Sequence, residues 1–219
     1  MRVVIYTRVE WAIDSFAPYQ SPGVGGIFTA LLQKAWEGTI PHLVRIFRAC
    51  LSTGYVPPIW RQAKVVFIPK PCRNSYSGPW DYRPISLTSF LLKTLDRLMD
   101  RHLRVVALAL VPLHQNQHAY QAGKSVEMAL LQLVVWVEKA LDQHETALGV
   151  LLDTEWAFNS TCYDAMCDDL VRHGSEYTIV RWIRATLEGR MAVATLNGTS
   201  VRLAISRDCP QGGVLSPLL

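Results

Sequence analysis

Three features predict an α+β fold: long stretches with apolar residues at helical spacing, a short β-rich run at 63–69, and two β-rich segments flanking Asn197-Gly198. The order along the chain is helices, strand, helices, strand, helices, hairpin. No internal repeat, low-complexity tract or flexible linker divides it.

Each element has a local cause. Ser21-Pro22-Gly23 breaks the chain, and residues 26–36 and 41–53 then carry apolar side chains at helical steps. Gly54 followed by Pro57-Pro58 ends the second of these helices. The run 63–69 is a strand closed by Pro69 and Pro71, and a polar, basic loop follows it. Between 86 and 110, Leu87, Phe90, Leu91, Leu95, Leu98 and Leu103 recur every three or four residues, with Lys93, Arg97 and Arg101 among them, which predicts a long amphipathic helix. A further helix is expected over 125–141. The almost unbroken apolar run 147–152 that enters Asp153 reads as a buried strand. Helices over 163–172 and 177–187 precede the hairpin, whose Asn-Gly pair is a strong turn signal.

With 219 residues, half of them hydrophobic, the chain can bury a sizeable core. A net charge of +4 is compatible with a polyanionic partner without requiring one. The five scattered cysteines form no C-x-x-C pair, which argues against a disulfide framework or a zinc ribbon and suggests a reducing compartment. No apolar run approaches the roughly 18 residues of a membrane span, and no signal-peptide pattern opens the chain. An intracellular, soluble protein is expected, in nucleus or cytoplasm; the oligomeric state is left open.

Several residues could carry chemistry. Asp153, at the end of the expected strand, could hold a divalent ion of a two-metal phosphoryl-transfer site, or could cap the following turn. Gln211-Gly212-Gly213 could let backbone approach a ligand at a helix start, or could be a Gly-rich turn. Lys70 and Arg83 offer a point charge and a bidentate fork to phosphate oxygens, although each taken alone reads as a solvated surface charge and only the combination carries weight. Gly123-Lys124-Ser125 is not a P-loop, because His118 occupies the position of the required glycine. His114 and His118 sit in a loop pattern with no third metal ligand nearby. Asp168-Asp169 falls in a helical pattern and is expected to face solvent.

Taken in order, these segments resemble the reverse transcriptase of jockey-like non-LTR (LINE-type) retrotransposons. Ser21 to Gly26 resembles the family's S-P-G-x-D-G turn, Val66 to Pro71 its I-P-K strand, and Tyr82 to Leu87 its R-P-I-S-L segment. His118 to Ser125 is similar to the segment preceding the palm, Asp153 to Phe158 to D-x-x-x-A-F, and Gln211 to Pro217 to Q-G-x-x-x-S-P. The resemblance implies a right-hand fold of fingers and a partial palm: a helical segment over 1–60, fingers over 61–146 and partial palm over 147–219. It implies RNA-directed DNA polymerisation with an RNA template, a DNA primer, dNTP and Mg2+. Asp153 would be the first metal-binding carboxylate, assisted by the Thr154 carbonyl. Phe158 would exclude a ribose 2′-OH. Lys70 and Arg83 would contact the triphosphate, with Gln211 and Gly212 near nucleotide and template, and Lys124 and Ser125 would contact nucleic acid.

The sequence departs from the pattern at Gly25, where the family has Asp, at Trp156, where a small residue or Lys is usual, and at Asn159. The Asp-Asp hairpin that follows the Q-G segment in the family is not among these residues. The chain alone is therefore expected to be inactive, with an exposed sheet edge; a non-catalytic RNA-binding role is the alternative.

Overall fold

The computed structural model describes residues 3–72, 75–154, 157–158, 160–196 and 198–219. Helices α1 (Tyr6–Asp14), α2 (Thr29–Lys34), α3 (Trp36–Thr53), α4 (Phe90–Leu110), α5 (Val126–Asp142), α6 (Tyr163–Arg172) and α7 (Tyr177–Leu187) accompany one four-stranded sheet. Its strands are β1 (Gln62–Pro69), β2 (Tyr82–Leu87), β3 (Arg190–Leu196) and β4 (Thr199–Ile205), in the order β2-β1-β3-β4. The architecture is α+β, as the sequence predicts.

Apolar stripes set the packing. Helix α1 lies against α3 and α4, and α7 joins α3 to α6. Val9, Ile13, Phe47, Leu51, Leu95, Met99, Ile179 and Trp182 form the fully buried centre. Helix α3 tolerates Pro41 in its second turn and stops at Gly54, which adopts a left-handed conformation (φ 69°) while the Tyr55 N–H reaches back to the Cys50 carbonyl.

In the sheet, β1 pairs antiparallel with β2 and parallel with β3, and β3 pairs antiparallel with β4 across Gly198 (φ 81°). The sheet therefore joins strands from the 61–146 and 147–219 ranges.

Three expectations are corrected. The 147–152 run is not a strand: it is unpaired, and Leu151 and Leu152 are 98% and 93% exposed. A run apolar along its whole length holds as a strand only with partners at its edges and cover on both faces, and the described residues supply neither. Secondly, the helix expected from 86 begins at Phe90, because Ser86 and Leu87 complete β2, where they pair with Val65 and Lys64. Ser89 caps α4, its Oγ accepting the Leu91 N–H at 3.3 Å. Thirdly, residues after Gln211 form turns instead of a helix: the Leu219 N–H reaches the Leu215 carbonyl, too little to nucleate one, and Ser216 Oγ bonds back to the Pro210 carbonyl at 2.7 Å.

Candidate nucleic-acid and nucleotide site

Segments far apart in sequence meet at the end of β2. The Ser86 N–H donates to the Gln211 carbonyl at 2.8 Å, joining the R-P-I-S-L strand to the Q-G turn. Gly212 (φ 100°) sits so close that a Cβ there would come within 3.3 Å of Ile85 Cγ2 and of the Ser86 carbonyl oxygen. On the other side, Gly23 of the S-P-G turn packs on the 88–89 backbone, where a Cβ would meet the Thr88 carbonyl at 2.7–2.8 Å. Gly25, by contrast, stands in open space.

The Gln211 turn is held from below by Arg190, which is 4% exposed. Its guanidinium donates to the Leu187 carbonyl, the Tyr163 hydroxyl and the Asp208 carbonyl, with the Asp208 carboxylate 3.7 Å away. Burial raises the Asp208 carboxyl to about 6 against the opposing pull of Arg190. The next residue, Cys209, donates its N–H to the Phe158 carbonyl at 2.8 Å. Phe158 is half-buried against the core, so one anchored segment positions both Phe158 and Gln211.

Strand alternation separates the other expected nucleotide ligands. Phe67, Pro84, Ala192, Ala194 and Leu203 line a trough of about 370 Å³ on one face of the sheet, closed at its end by Gln211. Arg83, exposed and paired with Ile68, belongs to the opposite face. Lys70 follows β1 in a loop closed on itself: its N–H donates to the Asp81 carbonyl at 2.7 Å and its carbonyl accepts the Tyr76 hydroxyl at 3.0 Å.

Asp153 and Thr154 are exposed in the unpaired segment after 152, and Trp156 and Asn159 lie outside the described residues. Among the described residues no group of three His, Cys, Asp or Glu could hold a metal ion, so these residues do not complete the Mg2+ site that the family resemblance implies. Lys124 spends its ammonium on the Gln115 and Gln117 carbonyls, and Ser125 caps α5 by accepting the Met128 N–H. His118 shares a hydrogen bond with Gln132, and the His114 ring accepts the Asn116 N–H. Asp168 and Asp169 are exposed on α6, as expected, with Asp169 paired to Arg172.

The family described as "Reverse transcriptase (RNA-dependent DNA polymerase)" matches residues 68–219. The chain belongs to this family. Over 95% of its length it is 30% identical to "Probable RNA-directed DNA polymerase from transposon BS" of Drosophila melanogaster, covering 23% of that protein. It is 28% identical over 97% of its length to "Putative 115 kDa protein in type-1 retrotransposable element R1DM" and 25% identical over 100% to "RNA-directed DNA polymerase from mobile element jockey", both of the same fly, covering 20% and 24% of them. This is a reverse transcriptase domain of the non-LTR retrotransposon kind, and the chain spans about a quarter or less of these relatives.

Sequence reading missed Arg190 and Asp208 in this reverse transcriptase domain, because an isolated Arg and Asp carry no pattern until the fold buries them together. No helix among the described residues is long and apolar enough to cross a membrane.

Proposed function

We propose that this chain is the template- and nucleotide-handling portion of an RNA-directed DNA polymerase of a mobile element, organised as fingers (61–146) and partial palm (147–219) after a helical segment (1–60). The observation that carries the reading is the meeting of the R-P-I-S-L and Q-G segments through the Ser86–Gln211 hydrogen bond, reinforced by the close approach of Gly212. In this reading Lys70 and Gln211 contact the incoming dNTP, with Arg83 reaching its phosphates from the opposite face of the sheet, Gly212 lets backbone approach it, Phe158 borders the sugar, and Asp153 is the first metal carboxylate, assisted by the Thr154 carbonyl. Lys124 and Ser125 stiffen the loop ahead of α5 beside the nucleic acid.

A divalent ion, when bound, would stabilise the charge developing on the transferred phosphoryl group. The described residues present no complete set of ligands for it. That observation favours a second reading for the chain by itself: binding of RNA without catalysis.

Primer extension with Mg2+, an RNA template and a DNA primer tests the pair. The purified chain is expected to bind RNA in a salt-sensitive way and to add no nucleotide. Incorporation abolished by Asp153→Ala would overturn the non-catalytic reading, and absence of RNA binding at low salt would overturn both.

A further inference from the structure

Behind the Gly212–Gly213 turn, on the side away from the trough, lies a cleft of about 540 Å³ bordered by Phe16, Ser21, Leu87, Lys93, Arg97 and the two glycines. Lys93 is only 9% exposed, yet among the described residues its ammonium makes neither an ion pair nor a hydrogen bond; its cover is the Phe90 ring, 4.9 Å from Nζ to the ring centroid. Arg97, one turn along α4, stacks over the Phe16 ring at 5.0 Å, and its buried Nε has no hydrogen-bond partner among the described residues. The acid nearest in sequence, Asp96, does not neutralise them: burial lifts its carboxyl to about 8, with the neighbouring Lys93 pulling the other way, so it is mostly uncharged at pH 7. A buried ammonium whose charged form burial disfavours, with Asp96 opposing only in part, and a half-buried guanidinium with an unpartnered Nε open onto one cleft, an arrangement that an anion would stabilise.

The surface leading to the cleft has the same sign. Leu87 at its rim pairs with Lys64, Lys64 with Val193, and Val193 with Arg202, so one row across the sheet carries two cations. Arg83 lies on the same face of β2, two alternations before Leu87. None of the four strands contains Asp or Glu. A row of separated cations ending in an open basic cleft suits a chain of phosphates better than a single small anion.

We propose that the Lys93–Arg97 cleft is a phosphate-binding site, filled by one phosphate of a single-stranded nucleic-acid backbone that crosses the Lys64–Arg202 face of the sheet. Lys93 supplies a point charge and Arg97 a donor fork, and the Gly212–Gly213 turn, packed on Ile85, Pro210 and Ser216, forms the facing wall of the cleft. The site deepens the RNA-binding reading without depending on polymerase activity.

The test uses the full chain with a fluorescent single-stranded RNA oligonucleotide and, separately, inorganic pyrophosphate. Lys93→Met and Arg97→Gln are each expected to weaken RNA binding about tenfold, and the pair, by giving up one phosphate, to flatten the log Kd against log salt slope by about 0.7. Lys139→Gln on α5 should change neither. Unaltered RNA affinity in both folded variants overturns the proposal while leaving RNA binding by the chain intact. Pyrophosphate binding that depends on Lys93, with RNA affinity unchanged, assigns the cleft to a free phosphate and likewise overturns the backbone assignment. Should the variants not fold, acetylation of wild-type lysines read by mass spectrometry decides: RNA must protect Lys93, and equal labelling with and without RNA refutes the site.

Discussion

Helices α4 and α5 are both long and rich in Leu and Val, yet one is the spine of the core and the other buries nothing. In α4 the apolar residues form one stripe, and Phe90, Leu95, Leu98, Met99 and Leu103 vanish into the interior. In α5 they run around the helix, from Val126 through Leu131, Val134 and Trp136 to Leu141, and all of these are exposed. Hydrophobic content did not decide which helix is buried; a polar face matched to a core-facing stripe did. A helix apolar on every side is a poor surface helix, and α5 together with 147–152 leaves a large oily area open.

The contrast breaks if truncations in the two helices cost alike. Leu95→Ala is expected to lower unfolding free energy by about 3 kcal/mol, whereas Leu131→Ala should stay within about 0.5 kcal/mol, both read from urea denaturation. Acidity sharpens it next. Asp96, buried in α4, has its carboxyl raised from 3.8 to about 8 chiefly by burial, opposed by Lys93. Its folded-state pKa lies above the unfolded one, so its contribution to stability is complete below about pH 4 and is lost as pH rises towards 8. Asp96→Asn should flatten the fall of Tm between pH 5 and 8.5 and leave the variant about 5 °C more stable at the upper end; parallel Tm profiles of variant and wild type would contradict this.

Smaller effects follow at the caps. Ser89→Ala should destabilise the whole fold by about 1 kcal/mol. Ser125→Ala should speed amide exchange at the start of α5 while leaving global stability unchanged, because α5 buries no side chain in the core. Least costly of all, Leu131→Glu should leave Tm within about 2 °C and reduce aggregation measured by light scattering; unchanged aggregation would mean that the exposed face of α5 is not the sticky one.

Legibility in the sequence followed the range of the interactions. Helices α6 and α7 begin and end where periodicity places them, and the Asn-Gly pair in the sequence signals the β3–β4 hairpin, since neighbouring residues determine both. Ser86 and Leu87 suit a helix by local pattern, but pairing with β1, settled by residues some twenty positions away, holds them in a strand. The apolar run 147–152 misleads for a related reason: its composition reports a preference for burial, while strand formation needs partners that composition does not name. Of the candidate site, the Gln211, Gly212 and Arg83 segments were visible as motifs. The cleft of Lys93 and Arg97 was not, because on an amphipathic helix two cations read as solvated face until the S-P-G and Q-G turns close over them.

The parallel contact between β1 and β3 carries a consequence for synthesis on the ribosome. Ala63 aligns with Ala192, so the edge of β1 is complete more than a hundred residues before its partner emerges. At ordinary elongation rates that wait is on the order of ten seconds, long compared with the microseconds in which a β-hairpin forms. Nascent chains would spend that interval with the Gln62–Val65 edge of β1 bare, open to chaperones or to the same edge of a neighbouring chain on one polysome.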